Sequence, residues 1–183
     1  RNKPMVFSAK DLIYHIESVE KDDYRHTTRR RLAHFDNIIT TIEESIVGGE
    51  PQTVFIESII PDATMMVMVL DCDDISSMAA AKHWLLQDNI EGYVIESSPG
   101  HYWIIADFCA DAPTVIKRIK RIPGVDPKYV RMMTNTSYLR GLPKDGFMPI
   151  FPDEHKLKDE RVIMWIAAIK EWWQNPIHQR YIK

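Results

Sequence analysis

The stretch Met65-Met66-Val67-Met68-Val69-Leu70-Asp71-Cys72-Asp73 is a nearly continuous apolar run closed by two acids. Without polar alternation it reads as a strand buried on both faces, expected over residues 64–73. Just upstream, residues 53–60 are rich in Val, Phe and Ile and read as another strand, closed by Pro61-Asp62. Downstream, residues 76–89 have helical spacing, with Met78, Ala81, Leu85 and Leu86 on one face. Residues 92–97 and 101–107 read as two strands joined through Ser98-Pro99-Gly100, a hairpin signal. Asp111 with Pro113 opens a helix through Arg121, and Pro123-Gly124 breaks it. Residues 127–133 and 137–142 read as strands.

The order strand, helix, strand, strand, helix, strand is the split βαβ pattern of ferredoxin-like and RNA-recognition-motif-like domains, an α+β fold with an antiparallel sheet. Around this core the sequence places two further segments. Residues 8–47 read as helical apart from the middle, 22–28, which is too polar to assign: Leu12, Ile13, Ile16 and Val19 recur at helical spacing, as do Leu32, Phe35, Ile38, Ile39, Ile42 and Ile46, with Ser8 as N-cap and Gly48-Gly49 as stop. Residues 159–174 form an amphipathic helix whose apolar side carries Val162, Trp165, Ile166, Ile169, Trp172 and Trp173, tryptophans better suited to packing than to stacking a cofactor. The expected organisation is a helical segment over 1–49, a core over 50–146, and a loop plus C-terminal helix over 147–183.

Composition sets outer bounds. The 183 residues are 45% hydrophobic and 27% charged, enough for a sizeable core and too apolar for disorder. No apolar run reaches the roughly 20 residues needed to span a bilayer, no signal peptide is visible, and two cysteines are too few for a zinc site by themselves. An intracellular protein without membrane partners is the expectation. A net charge of −3 does not advertise nucleic-acid binding, but Arg25, Arg29, Arg30 and Arg31, and Lys117, Arg118, Lys120 and Arg121, are dense basic clusters.

Three motifs could carry chemistry. Asp71 and Asp73, two apart on a strand, project to one face, where they repel each other unless a hard divalent cation lies between them. Taken alone, the pair also reads as two acids in water at a strand end, with Asp74 capping the next helix. Glu96-Ser97-Ser98-Pro99-Gly100-His101 offers a glycine turn, hydroxyls and an imidazole to an anion. Asp126 supplies a further acid, followed by Arg131 and, in Ser137-Tyr138-Leu139-Arg140-Gly141-Leu142-Pro143-Lys144, by Arg140; arginine's planar fork suits phosphate.

In that order the pieces resemble the catalytic core of the archaeo-eukaryotic primase superfamily, which carries an hhhDxD motif, an sxH-type motif and a later hD motif. The matching residues are Val69-Leu70-Asp71-Cys72-Asp73, Ser97-Ser98-Pro99-Gly100-His101 and Val125-Asp126, and the likeness runs over about residues 67–144. The resemblance implies that Asp71, Asp73 and Asp126 bind two Mg2+ or Mn2+ ions. It implies that His101, Ser97, Ser98 and Gly100 contact the nucleotide, with Arg131 or Arg140 on its phosphates. It further implies nucleoside triphosphates and a single-stranded DNA template as partners, with a helicase or other replication domain alongside. The cysteine–histidine zinc knuckle of many relatives is missing from this sequence, so no zinc is expected. The serine nearest His101 stands three positions before it, one more than in the compact motif, and no glycine follows Pro143. The rival from another class is a non-catalytic single-strand-binding or replication-initiator module, stacking bases on Tyr93, Tyr102, Trp103 or Tyr129. A relaxase-like nuclease would want several histidines together, and only His101 is well placed.

Overall fold

The computed structural model describes residues 6–19, 27–48, 52–61, 64–133, 137–142, 147–153 and 156–179. With every side chain from Met66 to Leu70 apolar, β4 (Met65–Cys72) has no face to give to water, and all five are fully buried. It pairs antiparallel with β6 (His101–Asp111), which pairs antiparallel with β5 (Gly92–Ser98) in the order β4-β6-β5. β4 and β5 therefore run parallel with β6 between them, a split βαβ unit crossed by α2 (Ile75–Gln87). Asp74 caps α2 through Ser77 N–H at 2.7 Å, and Asp111 caps α3 (Ala112–Ile119). Ser98 pairs with His101, so the hairpin turn is only Pro99-Gly100, with Gly100 at φ +77°.

Neighbouring residues on β6 face opposite ways. Ile104 lies on the α2 side, where a Cβ on Gly92 would stand 2.9 Å from its Cγ2 and 3.7 Å from Leu85 Cδ1. Trp103 lies on the other side, its ring 5.2 Å from that of Trp173 on α5 (Glu160–Trp173). Helices thus cover both faces of this sheet.

The second sheet, also antiparallel, runs β2 (Thr27–Ala33), β1 (Tyr14–Val19), β3 (Gln52–Glu57), β7 (Tyr138–Arg140). Register aligns Tyr14 with Ile56 and Ile56 with Leu139, and these three are buried on one face. The Tyr14 ring lies 4.8 Å from that of Trp172, and Ile38 and Ile42 of α1 (Phe35–Gly48) are buried in the same core. The sheets are stitched together where β3 runs out: Val67 N–H donates to Ser58 O at 2.9 Å, and Ile60 N–H to Met65 O at 2.7 Å.

Three expectations are corrected. The segment 8–47 is not helical throughout: Ser8 caps only a 3-10 turn (Ala9–Asp11), two strands follow, and the helix is α1 alone. The spacing of Leu12, Ile13, Ile16 and Val19 fits a helix, but β1 is hydrogen-bonded to a strand on each side, and Tyr14, His15 and Ile16 are all buried. Strands from before and after Gly49 therefore share one sheet. Residues 127–133 form no strand; they form α4 (Pro127–Met132), since Asp126 as N-cap and Pro127 in the first turn outweigh the apolar content of Tyr129, Val130 and Met132. Leu86, expected on the buried face of α2, is 45% exposed; Ala81 and Leu85 are the residues that α2 buries. The tryptophans of α5 pack as expected, with Trp165 Nε1 donating to Glu57 O at 3.3 Å and Trp172 Nε1 to Gly141 O at 2.6 Å. Arg25, Asp62, Pro143 and Lys144 lie outside the described residues.

Candidate functional site

At the end of β4 the core gives way to a cavity of about 350 Å³ lined by Asp71, Asp73 and Asp126, by Ser97, Ser98 and His101, by Arg140, and by Trp103, Leu142 and Trp173. Asp71 and Trp103 are cross-strand partners and share the α5 face of the sheet. Asp71 is half-buried, Cys72 fully buried and Asp73 exposed, as strand alternation around a core edge requires.

Asp126 reaches this place by a chain of contacts. The turn before it holds Gly124 at φ +83°, where a Cβ would come within 2.1 Å of Ser77 O, so only glycine lets the chain pass this close to α2. Asp126 N–H then donates to Asp71 O at 2.7 Å. This hydrogen bond occupies the free edge of β4, where a fourth strand of the expected sheet would have lain. The Asp126 carboxylate accepts from Lys128 N–H at 3.0 Å. Tyr129, one turn on, donates to Val69 O at 2.7 Å and also meets the hydroxyl of Ser137, locking α4 to β4.

His101 leaves the Pro99-Gly100 turn on β6 with Nδ1 3.8 Å from Asp73 Oδ1, both side chains half in solvent. Arg140 comes from the other sheet, set by the Phe55–Arg140 register of β3 and β7. Its neighbour Gly141 donates to Val54 O at 2.7 Å, and a Cβ there would be 2.7 Å from Ile56 Cγ1.

Electrostatically the pocket is under tension. Burial, then the charges of Asp126 and Asp73, push the Asp71 carboxyl up to about 7, and only Arg140 works in the opposite direction. A half-buried carboxylate crowded by two others is the donor set that a hard divalent cation relieves, and oxygen-only ligation suits magnesium or manganese. Among the described residues, no three His, Cys, Asp or Glu side chains are yet drawn together tightly enough to hold an ion. The acids line the cavity, and their fit to a cation rests on charge and donor type.

Of the expected site residues, Asp71, Asp73, Asp126, Ser97, Ser98, His101 and Arg140 share the cavity. Gly100 and Arg131 do not line it: Gly100 shapes the turn, its N–H donating to Glu96 Oε1 at 3.0 Å, and Arg131 is exposed on α4. Sequence reasoning missed Trp103, Leu142 and Trp173 as pocket residues. Trp103 and Leu142 follow His101 and Arg140 by two positions, a signal that strand alternation offers. Trp173 carries no such signal. It is 1% exposed, and its Nε1–H has no hydrogen-bond partner among the described residues. The stacking platform of the rival reading is largely absent, since Tyr93, Trp103 and Tyr129 are at most 6% exposed.

The chain matches no known protein family, curated protein or solved structure. Among the described residues no helix is long and apolar enough to cross a membrane. The functional reading therefore stands on the pocket itself.

Proposed function

We propose that the protein is a template-directed nucleotidyltransferase of primase-polymerase type, joining nucleotides on single-stranded DNA. The observation that carries this reading is the meeting of Asp126 with Asp71 and Asp73 in one cavity that also holds His101 and Arg140. Asp71, Asp73 and Asp126 are the residues that would hold two Mg2+ or Mn2+ ions. Such ions, when bound, supply activation of the attacking 3′-hydroxyl and neutralisation of the triphosphate.

The chain's own groups divide the remaining work. Arg140 would present a guanidinium to the phosphates, and the protonated ring of His101 would donate to them. The hydroxyls of Ser97 and Ser98 add neutral donors. Trp103, Leu142 and Trp173 add apolar lining suited to sugar and base, so the cavity combines polar and apolar groups, as a nucleotide does. Preorganised charge of this kind, not covalent chemistry, is what phosphoryl transfer asks of a protein.

The test is incorporation of labelled nucleotide on a single-stranded template with manganese or magnesium. The wild-type chain should extend or start strands, and Asp71→Asn should not while still folding. No incorporation with either metal, together with single-strand binding that Asp71→Asn leaves unchanged, would hand the protein to the binding-module reading.

A further inference from the structure

A separate cavity of about 460 Å³ lies on the opposite side of the three-stranded sheet, between α2 and α3. Trp84 of α2, Asp88 at its C-cap, Phe108 of β6, and Thr114, Lys117, Arg118 and Arg121 line it. Four of the five tryptophans are at most 4% exposed, whereas Trp84 is 41% exposed, on a helix that buries Ala81 and Leu85 instead. The Arg118 guanidinium lies over the Phe108 ring, 4.7 Å from its centre. Among the described residues, none of Lys117, Arg118 and Arg121 is in an ion pair. Three uncompensated cations around two aromatic rings, on a chain of net charge −3, mark a local reversal of sign.

We infer that this groove docks a short acidic segment of a partner protein, with one aromatic or large aliphatic side chain seated against Trp84 and Phe108. Its flanking carboxylates meet Lys117, Arg118 and Arg121. Charge complementarity favours an anionic partner, and guanidinium groups take carboxylates two hydrogen bonds at a time. Tryptophan and arginine are the residues that dominate such interfaces. Asp88 on the rim opposes a phosphodiester backbone but can accept a peptide N–H. The cavity shares no lining residue with the pocket that holds the acids at the end of β4. The inference does not depend on the reaction assigned to those acids.

The experiment is fluorescence anisotropy of the whole chain with a fluorescein-labelled acidic heptapeptide carrying one central phenylalanine, with an oligothymidylate as competitor. Saturable binding is expected, accompanied by a change in Trp84 emission. Trp84→Ala, and separately Arg118→Glu with Arg121→Glu, should each weaken it by ~10-fold or more without shifting the melting temperature. Replacing the peptide's phenylalanine by alanine should do the same. The inference fails if the peptide does not saturate, or if neither set of substitutions weakens it. It also fails if oligothymidylate binds more tightly with the same dependence on Trp84 and the arginines, which would make the groove a nucleic-acid surface. Concentration-dependent self-association abolished by Trp84→Ala would assign the groove to a second copy of the chain.

Discussion

The three-stranded sheet brings Asp71, Asp73 and His101 to the pocket through short connections, whereas the four-stranded sheet brings Arg140 by pairing strands far apart in the chain. The first route depends on elements that each carry their own start and stop signals. The second depends on β1 lying between β2 and β3, and on Gly141 passing close against Ile56. Asp71, Asp73 and His101 are thus placed by local signals, whereas Arg140, like Asp126 through its hydrogen bond to Asp71 O, is placed by long-range contacts, and the two groups should fail differently.

Asp71→Ala or Asp126→Ala should cut nucleotide incorporation by ~10³-fold while the circular dichroism spectrum and a cooperative melting transition persist, with Asp126→Ala also costing about 1 kcal/mol because it removes the N-cap of α4. Equal loss from both would support one site built across β4 and α4, and a large effect from only one would break it. Gly124→Ala should destabilise the fold by about 2–4 kcal/mol in urea titration, since its Cβ would collide with Ser77 O at a positive φ. Activity should fall with it, because Asp126 follows that turn.

The acids also predict a pH effect on stability. Asp71 is raised to about 7 in the folded chain from 3.8, so in the metal-free protein the folded state holds a proton that the unfolded state has already released. That stabilisation is complete below about pH 4 and is lost as pH rises through about 7. Asp71→Asn should therefore stabilise the metal-free protein by about 1–3 kcal/mol at pH 8, with little effect near pH 4, measured by denaturant titration at both pH values. On the positive side, Arg140→Ala should lower kcat/KM for the nucleotide by ~10-fold or more, and Arg131→Ala should change it by less than ~2-fold. Reversal of that order would move the phosphate contact to α4.

What was legible in the sequence follows the same division. β4, α2, the β5–β6 hairpin, α3 and α5 announce themselves through an unbroken apolar run, the N-caps Asp74, Asp111 and Asp159, and a Pro-Gly turn, all signals within a few residues of what they specify. The strand character of residues 14–19 was not legible, because Leu12, Ile13, Ile16 and Val19 satisfy a helical period and only pairing on both edges decides against it. The segment after Asp126 misleads in the opposite direction: its apolar residues suggest a strand, but a capping aspartate before proline starts a helix. The choice of Arg140 over Arg131 required the β3–β7 register, which lies outside any local window. Trp173 entered the pocket only because α5 packs on the face that Asp71 shares with Trp103.

The central claim is that two carboxylates from the end of β4 and one from the start of α4 form one cation site, and anomalous diffraction tests it most directly. Crystals soaked with manganese and a nonhydrolysable nucleoside triphosphate should show anomalous peaks at about 2.0–2.3 Å from carboxylate oxygens of Asp71, Asp73 and Asp126, with Arg140 on the phosphates. Peaks elsewhere, or none at the end of β4 while the nucleotide is seen in another cavity, would contradict the account.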